Sequence, residues 1–314
     1  MNASASIRSL TWLPRCRAAS DALARHQGAH PHQLETRVHT WLAAASAAHE
    51  GGVAWDDLRQ ASVGARALHA TSAFVARLQT WPKGYQGDFE TVELMASPSI
   101  PEGQGVGSQL ERFALHAPII QQHRHVLEAM AARITAVAAR PGRSRILVLG
   151  SGSGLEVEGA LDALAASEAE VLLVDQDPDA LRVAARRLAE LGNRAASVAA
   201  DVTVASARVR ERGPFDLVIA SGLFDALSDE EAHRVLELVV REWVAPGGRL
   251  SFSQLDRGHA WQPWLELATA WRLEGRSEDE LRALVADSFG PDVQVSFQLE
   301  PTGLARIVDI KTAS

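Results

Sequence analysis

The clearest pattern in the chain is a short apolar run that ends in alternating glycines. Residues 145–154 read RILVLGSGSG, with glycine at Gly150, Gly152 and Gly154. A continuous apolar run of this length, closed by glycines, is typical of a parallel strand buried on both faces. Glycine lets the backbone turn sharply and approach a ligand closely, and the helix predicted from Leu155 to Ala166 offers free N–H groups at its start.

A second apolar run, residues 171–174, ends in an acid. Asp175 follows it, 25 positions after Gly150. An acid at the tip of the second strand is placed to accept hydrogen bonds from ribose hydroxyls. The glycines and Asp175 together predict a nucleoside-binding site.

The rest of the C-terminal part alternates between strand and helix patterns. Further strands are predicted at residues 197–200, 215–220 and 249–252, and capping boxes at Ser228 and Ser277 begin helices. Two alternating stretches, residues 293–299 and 304–310, flank Pro301-Thr302-Gly303 and predict a hairpin. This order predicts an α/β fold with a mainly parallel sheet and an antiparallel edge.

The N-terminal part has a different pattern. Residues 1–30 show no clear period and predict a partly ordered tail, while helical spacing recurs over 32–78 and 120–137. Glycine and proline between 84 and 107 predict a loop. Pro141-Gly142 marks the boundary between an N-terminal helical segment, residues 1–140, expected to form a lid, and a ligand-binding domain, residues 141–314.

Composition narrows the classes of partner. The 314 residues carry a net charge of −8, which disfavours a broad nucleic-acid-binding face. Cys16 is the single cysteine and no metal-ligand spacing occurs, so neither a disulfide framework nor a metal site is proposed. No signal peptide or membrane-spanning segment is predicted, and the expected location is the cytoplasm. A homodimer is one of the assemblies that the sequence allows.

A nicotinamide-binding Rossmann domain usually shows G-x-G-x-x-G, but Leu155 stands three positions after Gly152. Residues 141–314 instead resemble a class I S-adenosylmethionine-dependent methyltransferase. GYQGDFE at 84–90, LVDQD at 173–177 and SGLFD at 221–225 more narrowly resemble the methyltransferases of 3-hydroxypalmitic acid methyl ester synthesis. The resemblance implies a Rossmann-like class I sheet with an antiparallel terminal hairpin, preceded by the helical segment.

The resemblance also implies roles for individual residues. The glycine loop, including Ser151, would pass the methionine half of S-adenosylmethionine, and Glu156 would reach its ammonium group. An exposed acid at a helix start is the alternative for Glu156. The remaining implied contacts are Asp175 with the ribose, Gln176 along the adenine, Asp201 and Val202 at the adenine amino edge, and Ser221 and Leu223 beside the sulfonium.

The segment around Tyr85 predicts ligand contacts. It places the only tyrosine of the chain beside Asp88 and Glu90 in an expected loop, where buried acids are not needed for stability. A solvated turn is the alternative. If the methyl acceptor is an amine or a hydroxyl, the candidate bases are Tyr85, Asp88, Glu90, His116 and His259, and Tyr85 is also a candidate cofactor contact.

The acceptor itself is expected to be a small molecule. Arg124 would bind a carboxylate through a forked contact. Phe224, Trp264 and Trp271 would form part of the acceptor pocket, with ordinary hydrophobic packing as the alternative for the tryptophans. The predicted function is methyl transfer to a small-molecule carboxylate, hydroxyl or amine. The alternatives are a nucleoside-binding regulatory protein without transfer activity and a nicotinamide-dependent reductase.

Overall fold

The computed structural model describes residues 3–27, 30–290 and 293–313. The chain divides into two compact units. The helical unit comprises Met1–Gln121 and Ala260–Arg272, and the sheet unit comprises Gln122–His259 and Leu273–Ser314. The boundary predicted at 140/141 thus falls inside the sheet unit, and the sequence pattern did not indicate that residues 260–272 join the helical unit.

Seven helices precede the helix that leads into the sheet. They are α1 Ala3–Ala24, α2 Pro31–Glu50, α3 Trp55–Ala61, α4 Val63–His69, α5 Ala73–Thr80, α6 Phe89–Ala96 and α7 Val106–Leu115. The next helices are α8 Pro118–Ala138, α9 Leu155–Glu158, α10 Leu161–Ala165, α11 Pro178–Arg187, α12 Ser206–Arg210, α13 Asp229–Leu238, α14 Gln262–Ala268 and α15 Glu278–Phe289. α14 belongs to the helical unit and α9 to α13 with α15 to the sheet unit.

Three sequence predictions about helices are wrong. The expected N-terminal tail is α1, whose buried face includes Cys16, Ser20 and Leu23. Cysteine and serine on that face hide the apolar period that a sequence search detects. The expected loop from 84 to 107 contains α6. The single helix predicted after the glycines is broken at Gly159, where an added Cβ would lie 2.9 Å from the Ala131 Cβ on α8.

The sheet unit contains seven strands in the order β3-β2-β1-β4-β5-β7-β6. They are β1 Arg145–Leu149, β2 Glu170–Asp175, β3 Ala195–Ala199, β4 Phe215–Ala220, β5 Val244–Leu255, β6 Gln294–Leu299 and β7 Ala305–Lys311. β1 to β5 pair in parallel, whereas β7 is antiparallel to both β5 and β6. The predicted parallel sheet with an antiparallel terminal hairpin is confirmed.

Alternating residues of β1 bury themselves in two apolar layers, one on each face of the sheet. Leu147 and Leu149 pack with α13 and α15, and Ile146 and Val148 pack with the sheet-facing side of α8. Both layers are needed because a parallel strand in the middle of a sheet exposes neither face to water. β1 lies between β2 and β4, so the order of the strands reverses between β1 and β4. In parallel sheets, such a reversal leaves a crevice at the carboxyl ends of the strands, where ligands bind.

The described part of the chain includes no helix that is both long and apolar enough to cross a bilayer.

Candidate functional site

The loop after β1 makes the sharp turn expected from its glycines. Gly150, Gly152 and Gly154 have φ values of 60°, 50° and 75°, a region that favours glycine. A Cβ added to Gly150 would lie 3.3 Å from the Leu223 side chain, so the loop approaches the segment after β4 closely. A larger residue at this position would strain the backbone and displace Leu223.

Asp175 fixes the glycine loop from the end of β2. Its Oδ2 accepts a hydrogen bond from the Gly152 N–H at 2.7 Å, and its Oδ1 accepts one from the Asp177 N–H at 2.8 Å. The residue is 9% exposed, and burial raises its pKa. Because each carboxylate oxygen can accept more than one hydrogen bond, Asp175 keeps acceptor capacity for two neighbouring hydroxyl groups.

Glu156 is buried rather than exposed, so the alternative of a solvated helix-start acid is wrong. It is 3% exposed, and its Oε1 accepts a hydrogen bond from the Ser221 Oγ at 3.0 Å. Burial raises the pKa of Glu156 to about 7. The nearby cation, Arg187, is engaged elsewhere: it pairs with Glu158 at 2.8 Å and donates to the Ser153 carbonyl at 2.7 Å.

Ser151 adds an unsatisfied polar group to the same loop. Its N–H donates to the Val174 carbonyl at 3.1 Å, but its Oγ is buried and has no hydrogen-bond partner among the described residues. A buried hydroxyl without a partner is costly, so this atom fits a polar ligand group. With Asp175 and Glu156 it makes a site suited to a ligand that carries both hydroxyl and ammonium groups.

The predicted adenine contacts follow the neighbouring strands. Gln176, directly after β2, is exposed, and Val202, shortly after β3, is buried. Asp201 is exposed, and its Oδ1 accepts hydrogen bonds from the N–H and the hydroxyl of Thr203, both at 2.7 Å. All three residues therefore lie where strands of the parallel sheet end, the edge at which such sheets bind ligands.

The segment after β4 divides into site and core positions. Ser221 and Leu223 are partly exposed and reach Glu156 and Gly150, as described above. Phe224 is fully buried, and its ring lies 4.3 Å from that of Phe252, centroid to centroid. Phe224 thus contributes to the core of the sheet unit, and its contact with the acceptor stays a prediction.

The acids near Tyr85 have a partner that the sequence did not indicate. Asp88 is fully buried and caps α6, because its Oδ1 accepts from the Thr91 N–H at 2.9 Å and from Arg77 at 2.6 Å. Glu90 accepts from the same guanidinium at 2.9 Å. The pairing gives both acids a structural role in the helical unit. Tyr85 is half-buried between two glycines with positive φ.

The two histidines predicted as bases differ in environment. His116 is exposed at the end of α7, where its Nδ1 lies 2.8 Å from the Arg112 carbonyl oxygen. His259 is half-buried in the sheet unit, and burial lowers its pKa to about 4. His259 is therefore a neutral imidazole at pH 7.

The tryptophans after β5 take part in packing of the helical unit. Trp264 is fully buried on α14, with its ring centroid 6.1 Å from that of Trp261 and 6.5 Å from that of His69. Trp264 thus takes part in hydrophobic packing, and its contact with the acceptor stays a prediction. Trp271 is half-buried, with its ring centroid 5.3 Å from that of Trp81 in an edge-on arrangement.

The start of α8 carries two further polar groups of the sheet unit. Arg124 is half-buried, and burial lowers its pKa. His123, next to it, has a buried Nε2 without a hydrogen-bond partner in the described part of the chain, and burial lowers the pKa of His123 to about 4. Desolvation keeps this imidazole neutral at pH 7.

Comparison with known proteins agrees with this geometry. Residues 147–250 match a family model described as a methyltransferase domain, whereas the comparison with curated protein sequences gives no match. A structure described as a possible exported protein from Bordetella parapertussis overlaps with a TM-score of 0.61 and 17% identity, covering 100% of both chains. Magnesium protoporphyrin IX methyltransferase from Synechocystis PCC 6803, solved with bound SAH, has a TM-score of 0.47 and 15% identity, covering 62% of this chain and 87% of its own. The N-methyltransferase NodS from Bradyrhizobium japonicum WM9 has a TM-score of 0.46 and 14% identity, covering 72% and 98%.

The structure with a TM-score of 0.61 is similar in fold alone at 17% identity, and the family match carries the assignment of activity. That match includes the last three residues of β1, the glycine loop and Asp175. Residues 147–250 are therefore a methyltransferase domain within a sheet unit of the class I methyltransferase fold, and the chain is an enzyme that uses S-adenosylmethionine as its methyl donor.

Proposed function

We propose that this enzyme transfers the methyl group to a small-molecule carboxylate, hydroxyl or amine, with its donor held by the glycine loop. The assignment of the donor site to this loop is supported by the polar groups around it. Asp175 keeps free acceptor capacity, Ser151 has an unpartnered hydroxyl, and Glu156 is a buried carboxylate. This set matches a nucleoside that also bears an amino acid group.

Each group then has a defined task. Asp175 accepts hydrogen bonds from the two ribose hydroxyls, and Glu156 binds the ammonium group. The positive charge of the ammonium group then stabilises the Glu156 carboxylate, which has lost its hydration on burial. Gln176, Asp201 and Val202 surround the adenine at the ends of β2 and β3. Leu223 supplies an apolar wall behind Gly150, at 3.3 Å from an added Cβ.

When bound, S-adenosylmethionine supplies an electrophilic methyl group on a sulfonium, which departs as a neutral thioether. The protein's contribution is to hold the acceptor in line with that methyl group and to exclude water, and positioning of this kind is worth up to ~7–11 kcal/mol in favourable intramolecular reactions. A carboxylate acceptor is already nucleophilic and needs no base. For an amine or hydroxyl, neutral His259 is a proton acceptor within the sheet unit.

The acceptor class rests on charge and on Arg124. A net charge of −8 disfavours a polyanion such as tRNA. Arg124 is half-buried, and its planar guanidinium suits a forked contact with a carboxylate. The narrower resemblance through the GYQGDFE and SGLFD motifs makes fatty-acyl carboxylates, including 3-hydroxypalmitate, part of the class to be tested.

The test is methyl transfer from labelled S-adenosylmethionine to a panel of acceptors. The panel contains carboxylic acids of increasing chain length with 3-hydroxypalmitate, together with amines and phenols, and is run beside total tRNA and protein extract. We expect label in one small-molecule class. Label in the macromolecules alone would overturn the proposal, and Arg124→Gln should selectively lose carboxylate acceptors if Arg124 binds them.

A further inference from the structure

A buried arginine outside the glycine loop organises the segment after β4. Arg276 is 2% exposed and follows the stretch that joins the helical unit. Its guanidinium donates to the Phe224 carbonyl at 2.8 Å, to the Leu227 carbonyl at 2.7 Å and to the Asp229 carboxylate at 2.9 Å. A planar group with five fixed donors thus holds three points of one segment.

Asp225 binds the same segment to the end of β5. It is 6% exposed, and its Oδ1 accepts hydrogen bonds from the Leu255 N–H at 2.7 Å and the Gln254 side chain at 2.9 Å. Gln254 in turn accepts from Arg276 at 2.6 Å. The Asp225 carbonyl accepts from the Glu274 N–H at 2.7 Å. Asp225, Gln254 and Arg276 form a connected chain of side-chain hydrogen bonds, which we call the clasp.

The segment held by the clasp ends in the candidate site. Three residues upstream of Asp225, the Gly222 N–H donates to the Ser253 hydroxyl at 2.8 Å, so β5 holds both sides of the turn. Ser221 donates to Glu156 at 3.0 Å, and Leu223 backs Gly150. Arg276 is therefore connected to Glu156 through a series of contacts. The clasp contacts residues 221–227, and these residues contact Glu156 and the glycine loop.

We propose that Arg276 and Asp225 are positioning residues for the methyl-donor site, because the clasp holds Ser221 and Leu223 against Glu156 and Gly150. This inference rests on the proposed donor site. It places two residues in the machinery of the enzyme that touch neither donor nor acceptor. Burial also raises the pKa of Asp225 to about 7, because the Asp225 carboxyl group is removed from water in this network.

A residue that only stabilised the fold would behave differently. Its loss would lower the melting temperature and leave the donor affinity of the folded fraction unchanged. A suitable control is Arg133, which pairs with Asp309 at 2.5 Å in the same unit and is also largely buried. Arg133 donates to the Ala129 carbonyl and to Asp309 on β7, and so binds outside the segment 221–229.

The experiment is a double-mutant cycle on affinity for S-adenosylhomocysteine, measured by calorimetry below the melting temperature of every variant. Arg276→Gln should weaken binding about tenfold, with Arg133→Gln within about twofold of wild type. Ser221→Ala should weaken binding in the wild type and have a smaller effect in the Arg276→Gln background. If Ser221→Ala changes the affinity by the same factor in the wild type and in Arg276→Gln, or changes it in neither, the proposal is overturned.

Two further measurements keep the test decisive. Asp229→Ala removes one exposed contact of Arg276 and should shift affinity in the same direction by a smaller factor, even where Arg276→Gln fails to fold. Hydrogen exchange without ligand should speed up over 221–227 and 150–156 in the clasp variants and not in Arg133→Gln. Unchanged exchange there contradicts the clasp, whereas absent ligand binding by wild type contradicts the donor site alone.

Discussion

Glu156 is the residue whose environment says most about its ligand. A carboxylate that is 3% exposed, with a hydroxyl as hydrogen-bond partner, is poorly compensated for its loss of water. Burial is the main cause of its pKa near 7, and the charge of Asp175 raises the pKa further. A hydrogen bond from its own backbone N–H, the hydrogen bond from Ser221 and the charge of Arg187 lower the pKa, but they do not offset the burial. A ligand cation would reverse this balance, because an adjacent positive charge favours the ionised acid.

Donor binding should therefore depend on pH through Glu156. The free site has a pKa of about 7, and a bound ammonium group lowers the pKa, so binding below neutral pH releases a proton. We expect S-adenosylhomocysteine affinity to fall as pH drops below about 7, by up to tenfold per unit. Calorimetry in buffers of different ionisation enthalpy measures the proton release directly. Glu156→Gln should lose this dependence, and a flat wild-type profile from about pH 5.5 to 8 would contradict the ammonium assignment.

The residues that the sequence identified differ in kind from those that it missed. Gly150 and Asp175 were predictable because a tight turn and a strand tip leave local signals. Arg77 and Arg276 left none, since Arg77 meets its acids on the next helix and Arg276 meets its partners 22 to 52 positions away. An arginine in a polar stretch looks like solvated surface until the fold buries it.

Among the helices, α6 differs most clearly from the sequence prediction, which places a loop there. Its first residue follows the buried cap Asp88, which is paired with Arg77 of α5. The run DFE after two glycines indicates a ligand loop, yet the same acid is a common helix start. A ligand loop and a helix start have the same sequence signature here. The pairing of Asp88 with Arg77 favours the helix start.

Changing the cap should separate these interpretations. Asp88→Ala removes a helix cap and leaves Arg77 without its buried partner, and we expect a loss of about 3–5 kcal/mol from the stability of the helical unit. Glu90→Gln, at the exposed side of the same guanidinium, should cost less than about 1 kcal/mol. Denaturant unfolding followed by hydrogen exchange of α5 and α6 measures both. An Asp88→Ala protein of unchanged stability that has lost methyl transfer would restore Asp88 as a ligand contact.

The β elements were better predicted than the helices. Buried parallel strands are continuous apolar runs, and the terminal hairpin alternates with period two, so both patterns are visible locally. α1 was missed because Cys16 and Ser20 occupy its buried face. Small polar residues can be buried in a helix interface when a neighbour satisfies their hydrogen-bonding groups. The Ser20 Oγ, for example, accepts a hydrogen bond from the Ala65 N–H at 3.0 Å.

For the whole molecule, the division into units could not be read from the sequence. Residues 260–272 lie between β5 and α15, and the alternating pattern assigns them to the sheet unit. Their contacts belong to the helical unit instead: Glu266 pairs with Arg59 at 2.6 Å, and Gln79 donates to the Ala268 carbonyl at 2.7 Å. Membership in a unit depends on contacts about two hundred positions apart, and local periodicity carries no information on them.

Binding of S-adenosylmethionine through Asp175 is the property on which the function of the whole protein depends. The most direct measurement is calorimetric titration of the protein with S-adenosylhomocysteine and, separately, with NAD. We expect one S-adenosylhomocysteine site per chain and no binding of NAD. Asp175→Ala should weaken binding by about 1.5–3 kcal/mol, the loss of a charge-assisted hydrogen bond. The control Asp179→Ala, at a half-buried acid of α11 that pairs with Arg182, should bind like wild type. Binding of NAD in place of S-adenosylhomocysteine, or equal affinity in Asp175→Ala, would contradict the account.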